Sequence, residues 1–176
     1  VPKTALQLCQ EAAAVISLGG GCQMYFRQNE DMSFQPASFD IMREVADFVL
    51  PRRDYCKGIK PIPQIALFYS TAGWKQKVND IYRPFGVNGI RGIMNALLDG
   101  QQAVEVLMTH HMEKRMEEYP VIVVPEWEVM EPEMIARLKE YVKKGGNLLV
   151  IGSEATVLFD DILGVQGVGE RGTSCL

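Results

Sequence analysis

Histidine is nearly missing from this chain: His110 and His111 are the only two. Any Ser–His or Cys–His mechanism must use one of them, and neighbours on a helix point about 100° apart, so at most one can face a given site. Both fall in the first turn of an expected helix, where positive charge is disfavoured, and a surface role is the expectation. No pair among Cys9, Cys22, Cys56 and Cys175 has the C-x-x-C spacing of a zinc knuckle or redox motif. Free thiols follow, with Cys9 and Cys22 read as small core residues. No set of carboxylates, histidines and cysteines stands at metal-ligand spacing, so neither a metal nor a cofactor is expected. The glycines at 19–21 fit neither the G-x-G-x-x-G nor the P-loop pattern. No run approaches the roughly 18 apolar residues that span a bilayer, and no basic start precedes an apolar core, so no membrane segment or signal peptide is expected. A net charge of −4 lacks the basic footprint of a nucleic-acid binder. The chain starts at Val1 and not at Met, which leaves room for an upstream segment.

What is present is ordinary in amount and informative in pattern. The hydrophobic fraction of 47% and charged fraction of 23% suit a globular protein that buries a core. The stretch at 131–154, EPEMIARLKEYVKKGGNLLVIGSE, organises the rest. Pro132 suits a first helical turn, and Met134, Ile135, Leu138, Tyr141 and Val142 share one helical face. Gly145 can take the left-handed position after the helix. Residues 148–151 are then a continuous apolar run, as is VIVV at 121–124, closed by Pro125; both predict strands covered on two faces. Strand, helix and strand of this kind imply a parallel sheet with a right-handed crossover. Residues 64–69 (QIALFY) and 104–108 add two strands. Asn88 can cap a helix bearing Ile90, Ile93, Met94, Leu97 and Leu98 and stopped by Gly100, and Thr109 can cap a brief helix to about Tyr119. Residues 158–163 begin one more helix before a glycine-rich tail. Four strands alternating with helices over about 100 residues predict an α/β, flavodoxin-like, doubly wound parallel sheet.

The first third is less regular. Residues 4–14 pattern as a helix capped by Thr4 and Gln7, 15–18 as a short strand, and 22–26 (CQMYF) as a second extended piece or the loop beyond it. After a polar loop at 27–36, Ser38 can cap a helix to Val49 with Met42, Val45, Ala46 and Val49 inward, ended by Pro51. Residues 52–63 carry five charges, a glycine and two prolines without any period, and mark a boundary. The pieces before it form the last helix–strand–helix stretch of a larger repeating α/β domain.

In open parallel sheets ligands gather beyond the carboxyl ends of the strands, and four turns qualify: 70–74, 109–111, 125–127 and 152–155. Ser153, followed by Glu154, could sit on a tight turn as a nucleophile does, although the G-x-S-x-G elbow pattern is absent. The plainer expectation for Ser153 is a helix cap. Glu126, Trp127 and Glu128 place two carboxylates around an aromatic, in the manner of a sugar-binding edge. Ser70 and Trp74 follow the first strand. Catalytic candidates are thus Ser153 and Glu154; binding candidates are Ser70, Trp74, Glu126 and Trp127.

On these residues, 62–163 resembles the class I glutamine amidotransferase-like fold. Within it, the segment is similar to the trimerisation-type domain that follows the catalytic barrel in some β-galactosidases and related glycoside hydrolases. IALFYST, VEVLMTHHMEKRMEEY, PVIVVPEW and MIARLKEYVKKGGNLLVIGSEA carry the likeness. AAAVISLGGGCQMYF and FDIMREVADFVLPRRDYC resemble the end of the barrel in the same proteins. The resemblance implies that residues 1–60 are the end of an upstream (β/α)8 barrel plus a linker, and that 61–176 are the amidotransferase-like domain. True amidotransferases pair a cysteine on an elbow with a distal His and Glu; no cysteine stands in a strand-to-helix turn here and no histidine follows Tyr119. The implied role is a non-catalytic accessory and homo-oligomerisation domain of a glycoside hydrolase-like protein. Its partners would be the upstream barrel and, through the parent protein, carbohydrate. Glu30 and Asp31, after CQMYF, could approach an upstream site. The alternative is a stand-alone hydrolase or sugar-binding module using the turns around Ser153 and Glu126.

Overall fold

The structure, a computed structural model, describes residues 3–77 and 88–165, with backbone only at Asn88. The chain divides into two compact units, Val1–Pro61 and Ile62–Leu176.

In the first unit, helix α1 (Ala5–Ile16) opens with the expected capping box: Gln7 N–H donates to Thr4 Oγ1, and the Gln7 side chain accepts from Thr4 N–H at 2.9 Å. It packs on α2 (Pro36–Val49) through Ala5, Ala12, Ile16 and Val45. No strand forms at 15–18. The helical period continues through Ile16, because Ile16 lies on the buried face with Ala5 and Ala12 whereas Val15 is left outside. Pro51 does not end the helical path either. It sits in a 3-10 turn (Leu50–Arg52) that leads into α3 (Arg53–Cys56), since a proline is tolerated where a first turn has no carbonyl to bond its missing N–H. The α2 cap is Gln35, with Pro36 in the first turn, and not Ser38. Cys22 is exposed and not a core residue, while Cys9 and Cys56 are half-buried free thiols.

The second unit is a four-stranded parallel sheet of β1 (Ile65–Tyr69), β2 (Val104–Met108), β3 (Val121–Val124) and β4 (Asn147–Val150), in the order β2-β1-β3-β4. That is the flavodoxin-like, doubly wound order. Helix α4 (Thr71–Lys77) follows β1 and α5 (Asn88–Asp99) precedes β2; α6 (Thr109–Arg115) joins β2 to β3, and α7 (Pro132–Lys143) joins β3 to β4. Two short helices, α8 (Ser153–Val157) and α9 (Asp160–Leu163), close the described chain where one was expected. Right-handed crossovers put α5 on one face and α6 and α7 on the other. The α6–α7 face holds the core: Phe68, Leu107, Ile122 and Val124 meet Met112, Met134, Leu138 and Phe159.

The α7–β4 unit follows its sequence closely. Gly145 has φ 98°, and Gly146 lies flat on the Tyr141 ring with no room for a Cβ, so the double glycine both stops the helix and lets the chain turn under it. Burial differs in one respect. β3 is covered on both faces as expected, but β4 is an edge strand and Leu149 remains 47% exposed. Across the sheet Val106, Leu67, Val123 and Leu149 lie in one register row, buried at its centre and open at both ends. The glycine-rich tail with Cys175 and the side chain of Asn88, expected to cap α5, lie outside the described residues.

Candidate functional site

The strand order reverses direction between β1 and β3, and the crevice beyond their carboxyl ends is where such sheets bind ligands. Here the chain's own side chains fill it. Trp127 is 1% exposed; its indole N–H donates to the Phe68 carbonyl at 2.9 Å, and its ring meets Tyr69 edge-on at 5.2 Å. Gly73, in α4, permits this: a Cβ there would overlap the indole and lie 2.8 Å from the Val129 carbonyl oxygen. Ser70 is fully buried, donating to Val129 O at 3.1 Å and accepting from Gly73 N–H at 3.0 Å. Its hydroxyl is thus spent on tying the 125–131 loop to the start of α4. Trp74 is half-buried, 5.7 Å from Tyr69, whose hydroxyl is pushed up by burial. Of the expected sugar-binding edge, the aromatic is therefore in the core, and Glu126 and Glu128 point outward on either side of it. Lys77 donates to the Glu126 carbonyl at 3.3 Å and pairs with Glu128 at 3.6 Å, holding the loop from outside.

Two residues that were not among the binding or catalytic candidates, Glu131 and Thr109, complete the crevice. Glu131 Oε1 accepts from Ala72 N–H at 3.1 Å and from the Thr109 hydroxyl at 3.2 Å, while Thr109 Oγ1 accepts from Thr71 N–H at 3.1 Å. Turns after β1, β2 and β3 thereby meet at one carboxylate. Its other oxygen, Oε2, is buried without a partner among the described residues. Thr109 is not the cap of α6; Met108 is, which frees the threonine hydroxyl for this network.

A second cluster lies beyond β4. Gly152 is the cap of α8 with φ 94° and ψ 148°, and Ser153, exposed, is the first helical residue. The strained conformation of the turn thus sits on the glycine and not on the serine. The Glu126 stem crosses Gly152, where a Cβ would come 2.7 Å from its Cγ. Its carboxylate reaches Gly89 at the start of α5, where a Cβ would come 2.5 Å from Oε2. Glu126 thus packs on the residue before Ser153, with half-buried Glu154 next in the chain. No histidine joins them. His110 and His111 are exposed, their rings in contact with centroids 3.8 Å apart and planes tilted by 47°, and they stand beyond β2. β2 and β4 are opposite edges of the sheet, three strand spacings or about 14 Å apart. A Ser–His dyad cannot form across that distance. Among the described residues no group of three or more His, Cys, Asp or Glu could hold a metal, and no helix is long and apolar enough to cross a membrane.

The chemistry-poor crevice and the rim beside it both lie within one recognised stretch. Residues 70–154 match the family described as GLMA-like, second domain. The match runs from Ser70 to Glu154, so it takes in every turn described above, and it bears out the resemblance to the β-galactosidase trimerisation type read from the sequence. The chain is also similar to α-L-fucosidase isoenzyme 2 from Paenibacillus thiaminolyticus, with a TM-score of 0.66 and 17% identity over 88% of this chain and 23% of that one. It is similar to Gan42B, a GH42 β-galactosidase, with a TM-score of 0.63 and 17% identity over 85% of this chain and 24% of that one. At this identity the likeness is one of fold. The chain spans about a quarter of the length of either enzyme. No curated protein sequence matches it.

Proposed function

We propose that this chain is part of a longer glycoside hydrolase-like protein acting on carbohydrate, in which the GLMA-like unit is a non-catalytic accessory and oligomerisation domain. The observation that carries the reading is the filled crevice. The place where a doubly wound sheet would bind a ligand holds Trp127, Ser70 and Glu131, each committed to a main-chain partner. Residues 1–60 are then the end of the catalytic barrel with its linker, and the parent's activity resides upstream. The two enzymes of like fold, a fucosidase and a β-galactosidase, support a glycosidic substrate and an arrangement in which this fold is a fraction of the whole. Oligomerisation has support in the register row that ends in Val106, 45% exposed, and Leu149, 47% exposed. The test is Ser153→Ala in the parent protein, assayed on aryl β-galactoside and aryl α-L-fucoside. Activity should stay within twofold of the parent's (about 0.4 kcal/mol in barrier), and a loss above about tenfold would overturn the accessory reading.

A second reading has one observation in its favour. The Glu126 stem lies on Gly152, the residue before exposed Ser153, so a carboxylate-bearing and a hydroxyl-bearing residue stand at one rim, as a stand-alone hydrolase or sugar-binding module would need. It has no histidine to activate the serine, and sugar or ester turnover by the 1–176 chain alone, lost in Ser153→Ala, would establish it.

A further inference from the structure

Among the described residues two besides glycine have positive φ, Met32 at 68° and Gln101 at 58°. Gln101 follows α5; its N–H and that of Gln102 donate to the Leu98 and Leu97 carbonyls, and a left-handed residue is the usual end of a helix. Met32 ends no helix. It closes a tight turn in which Met32 N–H donates to the Asn29 carbonyl at 3.0 Å and Asn29 N–H to the Ser33 carbonyl at 2.8 Å. A three-residue loop bonded this way puts its last residue in the left-handed region, where glycine is preferred. Side chains brace the turn from within: Asn29 Nδ2 donates to Ser33 Oγ at 3.0 Å, and Ser33 N–H donates to Asp31 Oδ1 at 3.0 Å. Asp31 is therefore committed to the turn, whereas Glu30 is exposed. The Met32 sulfur accepts from Gln28 Nε2 at 3.2 Å, yet the residue is 70% exposed and lies outside the core. Glycine or asparagine would close the same turn with less strain, so the fold of this unit does not account for a methionine there.

We propose that Met32 is a specificity-determining residue of the parent protein, laying its thioether against the C–H face of a pyranoside ring, with Glu30 of the same turn at the ring's hydroxyls. This rests on the reading of residues 1–60 as the end of the parent's barrel; it adds which residue of that end meets the sugar, and by which chemistry. The turn runs directly into α2, and in a (β/α)8 barrel the loops that enter helices form the face where substrates bind. Strain held at one residue by the bonds around it is concentrated at ligand clamps of this kind. A pyranoside presents a patch of C–H bonds and an edge of hydroxyls. An unbranched, polarisable thioether suits the first, and a carboxylate, which accepts only, suits the second. Gln28 holds the sulfur in place before the sugar arrives, which lowers the cost of ordering the side chain on binding.

The test uses the protein expressed with its natural upstream coding sequence, assayed for kcat and KM on a panel of aryl glycosides that includes the β-galactoside and the α-L-fucoside, and for melting temperature. Met32→Gly relieves the left-handed strain and removes the thioether. Its KM should rise at least about fivefold with kcat within about twofold, and its melting temperature should be unchanged or higher. Met32→Leu keeps an apolar side chain of similar volume and should hold KM within about twofold. A Met32→Gly protein with the parent's KM would overturn the inference while leaving the accessory-domain reading intact. A loss confined to kcat would also overturn it, because a contact made equally in the ground and transition states acts on KM. So would a lowered melting temperature in Met32→Gly, which would make Met32 a packing residue, or a Met32→Leu protein as impaired as Met32→Gly. A parent protein that turns over no glycoside of the panel would overturn both readings.

Discussion

Replacing Gly73 by alanine should force Trp127 out of its place between the first and third strands. The added Cβ overlaps the indole and lies 2.8 Å from the Val129 carbonyl oxygen. One neighbour is main chain, and the other is a ring pinned by its bond to the Phe68 carbonyl, so neither can give by rotating a flexible end. Overpacking of this kind costs about 1–3 kcal/mol. Losing the indole bond adds about 1 kcal/mol, and the better helix preference of alanine in α4 offsets about 0.5–1 kcal/mol. The net loss is about 1.5–3 kcal/mol, or a fall in Tm of roughly 6–12 °C for a domain of this size. Trp74 and Trp127 are the only tryptophans, so urea unfolding followed by emission in a Trp74→Phe background reads Trp127 alone. Gly73→Ala should lower the urea midpoint and shift the native emission to the red. Gly92→Ala in α5 is the matched control: nothing lies within 4 Å of its added Cβ, and it should raise stability by up to about 1 kcal/mol. A Gly73→Ala protein with the parent's midpoint and unshifted emission would refute the packing argument and, with it, the filled crevice.

Other consequences are as direct. Arg115 forks onto Glu105 at 3.1 and 3.2 Å, and Tyr119 donates to the same carboxylate. With both groups partly exposed, Arg115→Met should cost about 1–2 kcal/mol, between the surface and buried limits. Burial pushes Glu105 up, but the bonds from Arg115 and Tyr119 outweigh it and hold the carboxyl below its ordinary 4.5. A folded value below the unfolded one stabilises fully above 4.5 and is lost as pH falls beneath it, so the urea-midpoint gap between parent and Arg115→Met should shrink from about pH 6 to about pH 3; a constant gap would refute the linkage. Glu131→Ala should cost about 1–3 kcal/mol and unprotect the Ala72 amide in hydrogen exchange, whereas an unchanged Ala72 rate would show that the carboxylate does not hold the turns. Leu149→Lys should change stability by less than about 0.5 kcal/mol yet reduce the assembly size seen by sedimentation, and an unaltered assembly would remove the open register row as a contact.

The parts of the fold legible in the sequence are those where one local rule was enough. The face of α7, the double-glycine stop and the VIVV strand all follow from period, cap and run length. Edge position is not local: LLVI and VIVV look alike as runs, and only the strand order makes one of them an edge with Leu149 open. Residues 15–18 look like a strand by composition, but the helix continues because Ile16 completes a face begun by Ala5 and Ala12. In the candidate site, Ser70 and Trp127 drew attention by chemistry, whereas their partners are carbonyls some sixty residues away in sequence, at a separation of 59. A signal for Trp127 was present. Glu126, Trp127 and Glu128 alternate polar and apolar just past a buried strand, which is the period that turns the middle residue inward. Glu131 carried no such sign, since its role depends on three turns meeting.

The filled crevice also limits where any activity of this unit can lie. Admitting a ligand between β1 and β3 would require withdrawing Trp127 and breaking its bond to Phe68, the Ser70–Val129 bond and the Glu131–Ala72 bond. Re-exposing an indole of 150–250 Å² costs about 4–6 kcal/mol, and three buried bonds add about 3 kcal/mol. The sum, about 7–9 kcal/mol, rivals the whole stability of a domain, about 5–15 kcal/mol, and would consume the binding energy of a micromolar ligand, about 8 kcal/mol. A gate that expensive is not a gate. Any recognition by the second unit would therefore work from its outer surfaces: the rim of Glu126, Gly152 and Ser153, or the open ends of the register row at Val106 and Leu149. The first is a small polar notch and the second a pair of aliphatic edges. Of the two, only the second suits a protein partner, because apolar edge residues gain by being covered whereas exposed carboxylates and hydroxyls are already satisfied by water.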